Sequence, residues 1–365
     1  MKRLTLALAT AGLALAALNP LGVAAAQPGG AVFTLSNSPA GNRVLVWDRS
    51  ADGSLLAVRA VSTGGTGTGA GLGSEGALTL SANHRWLYAV NAASDEVSVF
   101  RVSGTHLQLM EVAPSGGDMP VSITSHGRLV YVLNAGGDGN IQGFWRSATG
   151  ILDPVAGSNQ PLSQAAPGPA QIEFAPNGRH LVVTEKGTNR IDVFNVHADG
   201  SASALAWRAS AGPTPYGFAF TRGGKFVVSE AAGGATDASS ASSYRFHGNH
   251  LRLLDGPVAT TETAACWVAV TRDGRFAYTT NTGSASVTGY AIAGNGDLTL
   301  LNTDGVTGST GATPIDVTLD RSSSHMYVLN AGADTISIFD VMGDGSLTAM
   351  GSVPTPDGAA GLAAY

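Results

Sequence analysis

The chain has 365 residues, with 20 basic and 26 acidic side chains and a formal charge of −6. An acidic, thinly charged chain lacks the Lys and Arg surplus that nucleic-acid binding requires, and no polybasic cluster is present to attract an anionic membrane surface. The single cysteine, Cys266, excludes an internal disulfide and leaves stability to a large core.

From the start of the chain, Lys2 and Arg3 precede an apolar run, Leu4 to Leu18, and a small-residue stretch, Val23-Ala24-Ala25-Ala26. This is the pattern of a secretory signal peptide over residues 1–26, and the run is shorter than the roughly 20 residues that a bilayer span needs. The expected location is therefore secreted or periplasmic. Removing the segment leaves 18 basic residues against 26 acidic, a formal charge of −8.

The rest, 27–365, repeats. The segment VFTLSN ends at Asn37, and similar runs end at Asn91, Asn134, Glu185, Glu230, Asn281 and Asn330. The spacings are 54, 43, 51, 45, 51 and 49 residues, and YVLNAG occurs twice, at Tyr131 and Tyr327. A fixed period of this size marks a repeat architecture. Each unit has the same order: a short run such as AQIEFAP, a tight turn such as Asn177-Gly178 or Asp273-Gly274, and the run closing on Asn or Glu. A Gly-rich loop, a third run such as ISIFDV, a turn such as Asp344-Gly345 and a fourth run follow. Asn-Gly and Asp-Gly supply the positive φ of hairpin turns. Four antiparallel strands per unit predict propeller blades. The expected fold is all-β, a seven-bladed β-propeller of four-stranded antiparallel blades in one domain. The first unit lacks an innermost run, and the tail from Gly358 to Tyr365 reads as that strand, so the tail is expected to close the ring.

Consecutive strands run antiparallel, so the loops after the Asn or Glu positions share one face with the starts of the innermost strands. That face is expected to hold the site, around a central channel. It would present Asn91, Asn134, Glu185, Glu230, Asn281 and Asn330, with Gln171, Tyr216, Trp267 and Asp316. Asn at a strand end often shapes its own turn. Glu does not, so Glu185 and Glu230 stand out as paired carboxylates for acid–base work. Lys186 and Arg190 would supply positive charge to an oxyanion. His84, His126, His180 and His325 fall near the hairpin turns of the other face. No Gly-x-Ser-x-Gly elbow and no metal-spaced His or Cys cluster occurs, so neither cofactor nor metal is expected.

The repeat, of the type S-x-D-G-R-x-x-Y-x-x-N with Asp-Gly-x-Leu turns, resembles the seven-bladed β-propeller lactonases, which include bacterial 6-phosphogluconolactonase and fungal carboxy-muconate cyclase. In the motif that family carries as Asp-Leu-Gly-x-Asp-Arg, this chain reads Glu185-Lys186-Gly187-Thr188-Asn189-Arg190, and Ser229-Glu230 matches an Asn-Glu pair. Two positions depart: Ala170 stands where the family commonly has His, and Tyr216 where it has Arg. The resemblance implies hydrolysis of a lactone or cyclic ester, unphosphorylated here, with Glu230 as general base and Glu185 and Arg190 orienting the substrate or stabilising charge. Asn91, Asn134, Gln171, Lys186, Tyr216, Trp267, Asn281 and Asn330 would bind it. The alternative is a non-catalytic propeller that binds a sugar, peptide or partner protein. A monomer with a small-molecule ligand is expected.

Overall fold

A computed structural model describes residues 29–365; the expected signal peptide lies outside them. Seven antiparallel sheets follow one another along the chain, each with its strands in radial order. The innermost strands are Ala360–Ala364 for blade 1 and Leu78–Leu80 for blade 2. Those of blades 3 to 7 are Pro120–His126, Pro169–Phe174, Pro215–Phe220, Ala265–Val270 and Pro314–Leu319. The expected seven-bladed propeller is observed. Among the described residues the only helix is one short 3-10 turn, Ala232–Gly234, and no helix is long and apolar enough to cross a membrane.

The second strand of each blade sits between two neighbouring blades, so both of its faces are covered. Trp86–Asn91, Leu129–Asn134, His180–Glu185, Phe276–Asn281 and His325–Asn330 are buried at every position. That is why these runs read as continuous apolar stretches rather than alternating ones. The fourth strands face solvent; Leu55–Ser62 is exposed over most of its length. In blades 3 and 6 the fourth strand is split, into Leu152–Pro154 with Gln160–Pro161 and into Leu298–Leu300 with Gly308–Ser309. In each, the connecting loop folds over a third-strand glycine: Gly143 N donates to Ser158 Oγ at 3.0 Å and Gly289 N to Thr307 Oγ1 at 2.9 Å.

The repeated tyrosine has a structural task. Tyr131, Tyr278 and Tyr327 donate to the carbonyls of Gly200, Gly345 and Gly53 at 2.7, 2.8 and 2.8 Å. Each of these glycines closes the last hairpin turn of the next blade at φ between 82 and 89°, a conformation that favours glycine. The YVLNAG tyrosine and the Asp-Gly turn are thus two halves of one inter-blade clasp.

The ring closes as expected. Ala360–Ala364 pairs with Gly30–Leu35, with Phe33 opposite Ala363. Arg49, from the third strand of blade 1 (Arg43–Arg49), locks the seam. It donates to the carbonyls of Tyr365 at 3.1 Å and Gly29 at 2.9 Å, and its guanidinium lies 3.5 Å from Asp320 of blade 7. Both partners of this pair are buried. Replacing Arg49 by Met leaves Asp320 buried without its cation, which should lower unfolding stability by about 3 kcal/mol. Urea denaturation checks this, and a change below about 1 kcal/mol would show that the seam does not depend on the pair.

Candidate functional site in the central channel

Seven innermost strands around an axis leave a channel, and the segment joining blade 1 to blade 2 decides which end is open. Thr63 to Gly76 leaves the outermost strand of blade 1 and returns to the axis. On the face that carries the Asn and Glu loops it lies across the channel. Ser74 Oγ donates to Val121 O of blade 3 at 2.8 Å, and Glu75 N to Ala170 O of blade 4 at 2.9 Å. Trp267 Nε1 of blade 6 donates to Ser74 O at 2.9 Å. The Glu75 carboxylate then reaches Val268 N at 3.1 Å. It occupies room that exists because residue 217 is glycine: a Cβ there would collide with the Glu75 carboxyl and Cys266 O. Above this strap Lys186 Nζ bonds Gly73 O and lies 4.7 Å from the Tyr216 ring centre, and Tyr216 packs on Trp267 at 4.9 Å. Tyr216 and Trp267 are buried. This end of the channel is closed.

The other end is open. A cavity of about 760 Å³ runs from Glu75 along the innermost strands to the face of the hairpin turns. Glu173, Gln171 and Asp316 line it, and Arg222, Arg272, Arg321, His84 and His126 surround its mouth. The expectation that the accessible channel lies on the Asn and Glu face is therefore corrected: the histidines expected away from the site include two at its rim.

Three acids meet in a poorly solvated place. Burial pushes Glu75 and Asp316 well above the usual carboxylate range, and the charge of Asp316 and the backbone bond from Val268 act next on Glu75, in opposite senses. Asp316 Oδ1 accepts from Val317 N at 2.8 Å, whereas Oδ2 has no partner. Burial also pushes Glu173 up to about 8. Glu173 differs from the other two in facing the cavity with part of its surface accessible. Gln171 is fixed beside it, accepting from Phe218 N at 2.6 Å and donating to Phe218 O at 2.8 Å and to Glu173 Oε2 at 3.3 Å. Among the described residues no cluster of His, Cys, Asp or Glu has the arrangement of a metal site.

The residues expected at the site fall into three groups. Gln171 lines the open cavity. Lys186, Tyr216 and Trp267 come together with the strap at the closed end, where burial lowers the Lys186 ammonium to about 8. The others sit inside blades, away from the cavity. Asn91, Asn281 and Asn330 are buried and donate to hydroxyls of the third strand, at 2.8 Å to Ser98, 2.8 Å to Thr288 and 2.9 Å to Ser337. Asn134, also buried, donates to Ser115 O at 3.4 Å. Arg190 stacks over Trp207 at 4.0 Å on the blade's outer strand.

Glu185 and Glu230 occupy the Asn position with a longer side chain and gather more donors. Both are fully buried. Glu230 accepts from Gly212 N at 2.8 Å and from Ser240 and Ser242 hydroxyls at 2.5 and 2.7 Å, with Ser210 at 3.4 Å. Glu185 accepts from Ser163 N at 2.9 Å, from the Ser163 hydroxyl and from Thr188 Oγ1 at 2.5 Å. These bonds fix the segments crossing between blades and leave no carboxylate atom for water or substrate. Behind Glu185, burial and then the bond to Glu185 push Asp192 up to about 10. Burial raises Glu185 too, but hydrogen bonds from Asp192, Ser163 and Thr188 outweigh it and hold the group below its ordinary value. Asp192 is thus the protonated partner. Cys266 is buried, and burial pushes its thiol up to about 11.

The signals for the open end were present but scattered. Arg222, Arg272 and Arg321 each follow the last residue of an innermost strand register, at Thr221, Thr271 and Asp320. Glu173 is the acid inside AQIEFAP, and Glu75 lies in a Gly-rich connection.

The fold and its repeat are matched by the family model described as Lactonase, 7-bladed beta-propeller, over residues 40–161, 158–238 and 248–360. The chain belongs to this family of propeller lactonases. It is 33% identical over 102 residues to a 6-phosphogluconolactonase of Photorhabdus laumondii, a match spanning 28% of this chain and 30% of that protein. Among solved structures, the Pseudomonas aeruginosa periplasmic gluconolactonase superposes with a TM-score of 0.71 at 17% identity, covering 92% of this chain and 99% of that one. A Lactobacillus plantarum protein does so at 0.69 and 20%, covering 92% and 98%. At these identities the structural likeness shows the fold.

Two expectations follow. Glu230→Gln presents an amide to donors that need an acceptor, so stability should drop by about 2–3 kcal/mol in urea unfolding; an unchanged midpoint would mean that the bonds are dispensable. Asp192 holds its proton in the folded state up to about pH 10 but loses it in the ordinary carboxylate range when unfolded. Its contribution is therefore complete below that range and falls as pH rises through it toward 10. The melting temperature of Asp192→Asn should fall less between pH 5 and pH 9 than that of the parent, because a proton bound by the folded parent alone is worth about 1.4 kcal/mol per pH unit. Equal slopes would contradict the assignment.

Proposed function

We propose that this propeller is an exported hydrolase of an unphosphorylated lactone, acting in the open channel with Glu173 as general base. The observation that carries the reading is Glu173 itself: a carboxyl raised to about 8 that faces a cavity of about 760 Å³. A general base works best with a pKa near the operating pH. Ionised Glu173 takes a proton from water as the oxygen attacks the lactone carbonyl. The buried acid of Asp316, with Oδ2 unpartnered, donates a hydrogen bond to the oxyanion that forms. The ring C–O bond then breaks and the leaving alkoxide takes the proton back from Glu173, giving a hydroxy acid. Export rests on the signal-peptide pattern of residues 1–26 and agrees with the periplasmic gluconolactonase among its structural neighbours.

The rival, a propeller that binds a sugar, peptide or partner protein without turnover, draws support from Ala170 and Tyr216. Both stand where the family resemblance implies His and Arg, and both are buried beside the strap.

Proton release from a panel of simple lactones, glucono-δ-lactone included, tests the reading. Turnover should rise with pH toward about 8, and Glu173→Gln should lower it by about 10²–10⁴-fold. Undiminished turnover in that variant would place the base elsewhere, and no turnover by the parent protein would favour the binding reading.

A further inference from the structure

The mouth of the channel carries a charge pattern that hydrolysis of a neutral lactone does not require. Arg222, Arg272 and Arg321 come from equivalent turns of three successive blades, all exposed at the rim. Among the described residues none of the three has a carboxylate within ion-pair distance. Arg272 is steadied by donating to Arg321 O at 3.1 Å. His84 faces them across the rim: burial, and then the charges of Arg321 and Arg272, hold it below its ordinary value. The nearest acids are already engaged. Asp320 is held by Arg49 and His325, and Asp273 lies 3.8 Å from Arg275. Deeper in, burial favours the protonated forms of Glu75 and Asp316, so these two acids do not cancel the guanidinium charges at the mouth. A second hollow of about 370 Å³ continues from Arg222 and Arg272 between blades 6 and 7, which widens the cationic side of the rim.

We propose that this arginine rim binds the carboxylate of a small polyhydroxylated acid, the chemical class that opening of a sugar-type lactone generates. The guanidinium fork matches a carboxylate in two parallel hydrogen bonds, and the cavity behind it has room and hydrogen-bonding groups, such as Gln171 and Thr124, for hydroxyls. The proposal rests on the hydrolytic reading for its choice of acid and adds that the product is held at the mouth.

Calorimetric titration of the full chain with gluconate, sorbitol and inorganic phosphate tests it. Gluconate is expected to bind and sorbitol, its uncharged counterpart, is not. The Arg272→Ala/Arg321→Ala double variant should lose at least about tenfold in gluconate affinity, and so should Arg222→Ala, while Arg275→Ala, whose guanidinium is tied to Asp273 and Gly343 O, should not. Unaltered affinity in both rim variants, equal binding of sorbitol, or binding of phosphate without gluconate would overturn the proposal. Thermal melting of each variant shows that it is folded. The two readings fail separately. Lactone turnover without gluconate binding sinks this inference and leaves the hydrolase. Gluconate binding that depends on the rim arginines, without turnover, sinks the hydrolase and leaves a carboxylate-binding propeller.

Discussion

The carboxyl of Glu75, seated in the gap left by Gly217, is the constraint on which the shape and electrostatics of the channel depend. The strap that delivers it is bonded to blades 3, 4 and 6, so it braces the ring from the inside while it closes one end of the channel. A channel stopped at one end becomes a cup. Its floor is poorly solvated, which disfavours charge on any carboxyl placed there, and its mouth is the ring of hairpin turns. The acidity of Glu173, the proton held by the Glu75 and Asp316 pair and the direction of ligand access all follow from where that strap lies.

Burial of charge has been settled in two different ways in this molecule. At the blade seams it is settled with partners: Arg49 with Asp320 across the closure, and Glu230 with hydroxyls and an amide. These groups have no free valence and serve the fold. In the channel the acids receive few donors, and Asp316 Oδ2 receives none, so they answer burial by holding protons. Groups poised in this way are candidates for proton transfer, whereas saturated ones are not.

The fold was legible because it is written seven times. Each turn, the closing tyrosine and the apolar second strand recur with the period, and the tail from Gly358 reads as a missing strand because the first unit lacks one. The site was legible only in part, for physical reasons. Strand order assigns loops to faces, but it does not say which end of the axis is plugged; that depends on a 14-residue Gly-rich connection, Thr63 to Gly76, without periodicity of its own. Glu185 and Glu230 drew attention by breaking the Asn pattern. The hydroxyl-rich neighbourhoods that explain them, Ser240 and Ser242 for one and Ser163 and Thr188 for the other, sit in loops and third strands that a reading of the second strand alone passes over. Gln171 and Asp316 line the open cavity because they occupy inward registers of innermost strands. Glu173 occupies the next such register after Gln171, where an alternating strand hides a cavity-lining acid among core residues.

The most direct test of this account is a crystal structure of the protein soaked with gluconate. The account predicts the ligand in the open cup, with its carboxylate on Arg272 and Arg321 and its hydroxyls toward Glu173, and the strap at Glu75 in place. Density instead at the opposite face, beside Lys186 and Tyr216 with residues 72–76 displaced, would contradict it.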